Sequence, residues 1–364
     1  MREDINGDGY GDLMGWGTAG DTILQVFLGG PQFDVATPAA TIEASLVSLP
    51  PRFAGDVNGD GFGDFLVFHG YAPTSGSVPL LFFGGVNVAG LANVMLTKDA
   101  GGSSANLGAG LPGDWNGDGF ADLVVSWSYL VTNSSQLRVH FGGKSISINA
   151  DVHVDSPFAT IAAPGINDGG LVGDLNGDGF DDLGVFAVDY GGKASQLLFF
   201  LGGKVPDAVA DLTIAQAIAS SGSLARATDL DQDGFDDVVV ANRSMSYGFV
   251  RGANPLSAQT FVTRANPDGA LAVAGFDMNR NGKPEFIVNR SAGAAQIFEG
   301  TSLDPVVGGI PSGGCSLATA SDYDGDGYTD LVAECDSTEV NICLGDGTLA
   351  PLCKFSTVVG RVVR

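Results

Sequence analysis

Short apolar runs recur along this chain, each closed off by glycine or by carboxylates. Phe65-Leu66-Val67-Phe68 and Val238-Val239-Val240 are typical: β-branched or aromatic, short, and bounded by turn-forming residues. Runs of that kind predict strands rather than helices. The unit beginning at Arg52 contains four of them. Arg52-Phe53-Ala54-Gly55 enters a polar nonapeptide, Phe65 to Phe68 leaves it, Val78 to Phe83 ends at Gly84-Gly85, and Val94 to Thr97 leads onward. The glycine-terminated third run returns as Phe27-Leu28-Gly29-Gly30, Phe141-Gly142-Gly143 and Phe200-Leu201-Gly202-Gly203. Looser versions are Phe249 to Gly252, Phe298-Glu299-Gly300 and Cys343-Leu344-Gly345.

The polar nonapeptide is a second signal with the same period. It occurs seven times, at residues 4–12, 56–64, 114–122, 174–182, 229–237, 277–285 and 322–330. Positions one, three, five and nine carry side-chain oxygens in every copy. They are Asp4, Asn6, Asp8 and Asp12 in the first, Asp56, Asn58, Asp60 and Asp64 in the second, and Asp114, Asn116, Asp118 and Asp122 in the third. The fourth has Asp174, Asn176, Asp178 and Asp182, and the fifth Asp229, Asp231, Asp233 and Asp237. The sixth has Asp277, Asn279, Asn281 and Glu285, and the seventh Asp322, Asp324, Asp326 and Asp330. Such groups in one tight loop can converge on a cation, and hard oxygen donors select calcium over zinc or copper. Position seven would add its backbone carbonyl, leaving the side chains of Tyr10, Phe62, Phe120, Phe180, Phe235, Lys283 and Tyr328 free, the aromatic ones as packing anchors. Position six is glycine throughout, from Gly9 to Gly327, where the turn is expected to need a positive φ.

The opening of the loop also fits an EF-hand. That loop needs a bidentate glutamate at position twelve and flanking helices. Position twelve here is Gly15, Val67, Val125, Val185, Val240, Val288 or Ala333, and the flanks are strand-like. The expected site is strand, loop, strand. The sixth loop keeps two acidic ligands and adds Arg280 and Lys283, so it is expected to bind most weakly and to empty first on chelation.

A chain of 364 residues would ordinarily suggest two or three domains. A repeat running from end to end argues instead for one closed array over residues 1–364. The loops begin about 53 residues apart, close to the spacing of four-stranded propeller blades, and 55 glycines supply the turns. The formal charge of −25 is not laid down in runs, because about half of the 42 acidic residues sit at the loop positions. Up to seven structural Ca²⁺ would bring −25 to about −11, and the metal-free chain is expected to be markedly less stable through carboxylate repulsion. This distribution argues against a nucleic-acid partner.

No apolar run reaches the length of a membrane span. The three residues before Asp4 cannot be a signal peptide, so a leader is expected to have been removed. Loops of this kind in extracellular modules bind calcium at about 10⁻⁴ to 10⁻³ M, which predicts a secreted or cell-surface location.

The two motifs together resemble the FG-GAP repeat family, whose best-known member is the seven-bladed β-propeller at the head of integrin α subunits. The resemblance covers nearly the whole chain. It implies an all-β, seven-bladed β-propeller of four-stranded blades, and a monomer is expected. Integrin calcium loops occupy only the later blades, whereas every unit here has one, as in prokaryotic relatives of the family. Nothing in the chain matches the surface that receives an integrin β subunit. Because the chain starts almost inside its first loop, the first blade should be completed by Val358-Val359-Gly360-Arg361-Val362-Val363, removing an open edge.

All four cysteines fall in the last unit. The strand layout suggests Cys315–Cys335 and Cys343–Cys353, although four cysteines allow three pairings, and buried free thiols are the alternative. Disulfides would agree with an oxidising compartment.

Recognition in a propeller usually uses the face opposite the metal loops. The turns expected there carry Trp16, His69, Tyr71, Trp127, Tyr129, Tyr190 and Tyr247, with Arg243 and Arg290 nearby. Exposed aromatics and arginines anchor protein interfaces and stack on sugars. Folding of those side chains back over their own loops is the competing reading. An adhesion or recognition role with a protein or glycan ligand is therefore expected, and a protein is favoured because the turns differ from unit to unit.

Little points to catalysis. His69, His140 and His153 occur singly, and no Gly-x-Ser-x-Gly, His-Glu-x-x-His or phosphate-binding glycine loop is present. His140, within Leu137 to Phe141, reads as a strand residue. The resemblance leaves a polysaccharide lyase or hydrolase as the third possibility, since lyases and phospholipases occur among proteins with such repeats.

Overall fold

The computed structural model describes residues 3–16, 23–33, 37–43, 51–69, 78–88, 94–96, 104–129, 134–157, 164–189, 194–216, 222–226, 228–242, 246–258, 261–265, 270–290, 293–310, 316–334, 340–349 and 352–356. Among them the regular elements are all strands, and no helix is long and apolar enough to cross a membrane. The first sheet contains β1 (Leu13–Trp16), β2 (Ile23–Phe27) and β3 (Ala40–Glu43). The second has β4 (Arg52–Gly55), β5 (Asp64–His69), β6 (Val78–Phe82) and β7 (Val94–Met95). The third has β8 (Ser104–Ala109), β9 (Leu123–Tyr129), β10 (Ser134–His140) and β11 (Val152–Asp155). The fourth has β12 (Pro164–Leu171), β13 (Leu183–Asp189), β14 (Ala194–Phe200) and β15 (Leu212–Gln216). The fifth has β16 (Gly222–Arg226), β17 (Val238–Asn242), β18 (Ser246–Val250) and β19 (Phe261–Ala265). The sixth has β20 (Ala270–Phe276), β21 (Glu285–Arg290), β22 (Gly293–Glu299) and β23 (Val307–Ile310). The last has β24 (Ser316–Ser321), β25 (Asp330–Glu334), β26 (Val340–Leu344) and β27 (Leu352–Ser356).

Each sheet is an antiparallel meander in sequence order. The acidic nonapeptides span the first and second strands of the later sheets and precede β1 in the first, as the sequence predicts. The segment 358–363, expected to complete the first sheet, lies outside the described residues.

The second strands are apolar on both faces, which is why they read as continuous runs rather than alternating ones. Phe65 and Val67 of β5 join a core with Ile5, Met14, Leu24 and Val26 of the first unit. Leu66 and Phe68, on the opposite side, join Leu123, Val125 and Trp127 of the third. In β17, Val238 and Val240 face the fourth sheet while Val239 and Ala241 meet Phe286, Val288 and Phe298 of the sixth. The core is thus a series of layers between neighbouring sheets. One such layer joins Leu13 and Phe27 with Tyr323, Val332 and Ile342 of the last unit.

Backbone hydrogen bonds join the sheets where a loop's own hairpin leaves carbonyls unpaired. Gly63 N–H donates to the Asp4 carbonyl at 2.6 Å, and Gly85 N–H to the Ile5 carbonyl at 2.8 Å. The same two bonds recur from Ala121 to Asp56 and Gly143 to Val57, at 3.0 and 2.7 Å, and from Asp181 to Asp114 and Gly203 to Trp115, at 3.1 and 2.9 Å. They also run from Gly11 to Asp322, at 2.9 Å, and from Gly30 to Tyr323, at 2.7 Å.

Candidate metal centres

The second loop shows how the nonapeptide folds. Asp56 Oδ1 accepts from Gly59 N–H at 2.7 Å and Asp60 N–H at 3.1 Å, and its Oδ2 accepts from Gly61 N–H at 2.9 Å. Asn58 Nδ2 donates to Asp60 Oδ2 at 2.8 Å, and Asp60 Oδ1 accepts from Phe62 N–H at 3.0 Å. The backbone therefore wraps around its own side-chain oxygens. Position six has φ between 85° and 96° in all seven loops, with open space around most of these glycines, so conformation rather than crowding demands glycine.

The position-nine carboxylates are fully buried, at 0% exposure from Asp12 to Asp330. Asp64 Oδ2 accepts from Val57 N–H at 2.9 Å, while Oδ1 accepts from Gly84 N–H at 2.8 Å. Asp12, Asp122, Asp182, Asp237 and Asp330 likewise join the position-two amide to Gly29, Gly142, Gly202, Gly252 and Gly345. The loop signal and the glycine-pair signal share a period because one carboxylate ties them together. Desolvation is the main cause that lifts Asp64, Asp122, Asp182, Asp237 and Glu285 to about 7, and Asp12 and Asp330 to about 6. Neighbouring carboxylates raise them further, and the backbone amides oppose the rise.

A cation would relieve that burden, and the donor set suits one. Carboxylate oxygens of Asp229, Asp231 and Asp237 lie within 4.8 Å of one another, as do those of Asp322, Asp324 and Asp330. Asp231 Oδ1 is buried with no hydrogen-bond partner among the described residues, which a ligand would supply. Acidic clusters able to hold a metal are therefore present, with oxygen donors of the kind calcium prefers.

Position-seven aromatics are the packing anchors expected from the sequence. The edge of Phe62 lies against Gly7 of the preceding loop, and Phe120, Phe180 and Phe235 cover Gly59, Gly117 and Gly177. Tyr10 covers Gly325 of the last loop. A Cβ on any of these position-four glycines would strike the ring.

The expected recognition face needs correction at two residues. Trp127 lies within β9 and is 0% exposed, with the Arg138 guanidinium 4.5 Å above its ring. Tyr247, in β18, is 5% exposed, donates its hydroxyl to the Leu303 carbonyl at 3.0 Å, and has its ring 5.1 Å from that of Phe298. Both strands continue further than their apolar runs imply, which carries these rings into the layers between sheets. Trp16, His69, Tyr129 and Arg290 end β1, β5, β9 and β21, with their side chains outside the description. Tyr71, Tyr190 and Arg243 lie outside the described residues. His140 is a buried strand residue of β10, and desolvation lowers its pKa.

Among the cysteines, Cys343 and Cys353 stand directly opposite one another on β26 and β27, while Cys315 and Cys335 lie outside the described residues.

Meandering sheets layered face to face and tied by acidic hairpin loops are the architecture of propeller-type proteins. The model of the FG-GAP-like repeat matches residues 229–288, which contain the fifth and sixth loops. Two crystal structures of BBS1N in complex with ARL6DN resemble this chain. The mercury-soaked one has a TM-score of 0.54 at 11% identity, over 95% of this chain and 90% of that one. The lead-soaked one has a TM-score of 0.54 at 12% identity, over 96% and 92%. At such identities the likeness is one of fold, that of a β-propeller. Raptor of Chaetomium thermophilum aligns at 13% identity with a TM-score of 0.46, over 85% of this chain and 25% of that one.

Proposed function

We propose that residues 1–364 form one closed seven-bladed β-propeller that acts outside the cytoplasm as a calcium-stabilised, non-enzymatic module for binding a protein partner. The observation that carries the architecture is the pair of backbone bonds from Gly11 to Asp322 and from Gly30 to Tyr323. They repeat, between the last and first units, the contacts that join consecutive sheets, which supports a ring without a free edge. Residues 358–363 would supply the inner strand of the first blade.

Calcium is the reading favoured by all-oxygen loops and by buried carboxylates that lack a counter-charge. Positions one, three, five and nine would hold the ion, with the position-seven carbonyl, and the ion would staple the first strand of a blade to its second. The cross-strand register of Cys343 and Cys353 supports a disulfide there, and with millimolar calcium it favours an extracellular setting.

The partner-binding reading rests on the propeller fold, on the resemblance of the repeats, and on the variable turns opposite the metal loops. Trp16, Tyr71, Tyr129, Tyr190, Arg243 and Arg290 remain its candidate residues, whereas Trp127 and Tyr247 are structural. Capture from cell-surface or secreted extracts in millimolar calcium, compared with EDTA, tests it. One specific protein retained by the native chain and lost on Arg243→Glu with Arg290→Glu, at unchanged melting temperature, is expected. Saturable binding to a defined sugar class on a glycan array would replace it with the lectin reading. Turnover of a polysaccharide would overturn the non-enzymatic one.

A further inference from the structure

The sixth loop departs from the others at several positions, and the departures are physically linked. Position four of the fifth loop is Gln232, with φ of 62°, where five of the other loops carry a glycine under an aromatic ring. Gln232 instead donates its side-chain amide to the Gly282 carbonyl of the sixth loop. The aromatic at position seven is thereby unnecessary, and Lys283 stands in its place. Lys283 turns back to its own blade, with Nζ 3.1 Å from Glu299 Oε1. Asn281 Nδ2 donates to Glu299 Oε2 at 2.9 Å. Glu299 ends β22, at the position held by Leu28, Phe83, Phe141, Leu201, Arg251 and Leu344 in the other units.

The remaining contacts complete the difference. Asn281 Oδ1 accepts the Lys283 N–H at 2.8 Å, as the position-five carboxylates do elsewhere, but the aspartate charge is missing. Glu285 Oε2 accepts from Met278 N–H at 2.6 Å, while Gly300 N–H donates to the Pro284 carbonyl at 2.9 Å rather than to Glu285. Glu285 Oε1 is left buried without a hydrogen-bond partner among the described residues. Arg280, with φ of 57°, places its guanidinium 4.8 Å from the Tyr328 ring of the next loop.

A calcium ion in the other loops would draw positions five and seven together with positions one, three and nine. Here Glu299 holds positions five and seven instead, by accepting from the position-five side-chain amide and the position-seven ammonium. Within the loop two carboxylates, Asp277 and Glu285, remain as charged donors, against three or four elsewhere. Charge count is what sets the affinity of such sites. The donor set therefore does not fit a resident calcium ion.

We propose that the sixth loop is a metal-independent joint in which the Glu299–Lys283–Asn281 clasp replaces the cation, so that the contacts of the sixth blade with its two neighbours persist when calcium is withdrawn. The inference rests on the calcium reading of the other six loops only for the ion count. Native mass spectrometry of the full chain, titrated with calcium chloride, should show one ion for each of the other loops. A further ion that disappears on Asp277→Asn would overturn the proposal. Binding of no ion at all would instead overturn the calcium reading.

Hydrogen exchange keeps the two apart. In EDTA, the amides of residues 279–283 should stay protected while those of residues 324–328 lose protection. Glu299→Ala should accelerate exchange in residues 279–283 by about tenfold, with or without calcium, and leave residues 58–62 unchanged. Unaltered exchange in that variant would sink the clasp whatever the ion count.

Discussion

The ring of Tyr10 lies over Gly325, joining the first acidic loop to the last with the contact that Phe62 makes on Gly7. Gly325 has φ of 77° and no room for a Cβ, whereas Gly9 has φ of 94° and open space. Gly9→Ala should cost only backbone strain, about 1–2 kcal/mol. Gly325→Ala adds overpacking against Tyr10 and should cost about 2–4 kcal/mol. Urea denaturation of both variants checks the order; equal losses would mean that the Tyr10 contact contributes nothing.

Calcium removal should lower stability in proportion to the number of filled sites. With calcium tenfold above its dissociation constant, each ion contributes about 1.4 kcal/mol. Six such sites would move the midpoint by about 10 °C in a chain of this size. Calorimetry in millimolar calcium and in EDTA measures the difference, and a shift near zero would count against metal as a folding cofactor.

The buried position-nine carboxylates set the pH dependence of the metal-free form. Their folded-state pKa values are raised to about 6 or 7, above the ordinary 3.8 of an aspartate, so the native state binds more protons than the unfolded one across that interval. Their contribution is fully present below the unfolded value and is lost as pH rises through the folded one. In EDTA the melting temperature should therefore fall between about pH 5 and pH 8. Calcium requires the deprotonated form, so its stabilising effect should be largest near pH 8 and shrink toward pH 5. Melting curves at both pH values, with and without calcium, give the sign directly.

Trp127→Ala should unfold the chain at lower denaturant rather than silence a binding face. The ring is wholly buried against the second sheet and beneath Arg138, so truncation leaves a large cavity and should cost about 3–5 kcal/mol. A variant of unchanged stability would contradict this placement.

Arg226 bridges two loops, with Nη2 2.9 Å from Asp181 Oδ1 and 3.5 Å from Asp236 Oδ2. The cluster is partly exposed, so Arg226→Ala should cost only about 1 kcal/mol. The loss should diminish when Asp181 is also changed to Ala, because Asp236 then no longer faces a second carboxylate left without its arginine. A double-mutant cycle in low salt tests this coupling.

The repeat, the strands and the acidic loops were legible in the sequence because each depends on local chemistry. Glycine at position six follows from a positive φ, and oxygen side chains at positions one, three and five follow from the turn they cap. Apolar runs such as Phe65 to Phe68 follow from a strand covered on both faces. What the sequence could not supply was which distant groups those residues meet. That Asp64 joins Val57 to Gly84, that Tyr10 covers Gly325, that Trp127 is core, and that Glu299 clasps Lys283 are matters of how hairpins and neighbouring sheets are set against one another. Asp64 and Glu299 meet their partners only once a hairpin has closed, and Tyr10 and Trp127 meet theirs only when sheet packs on sheet.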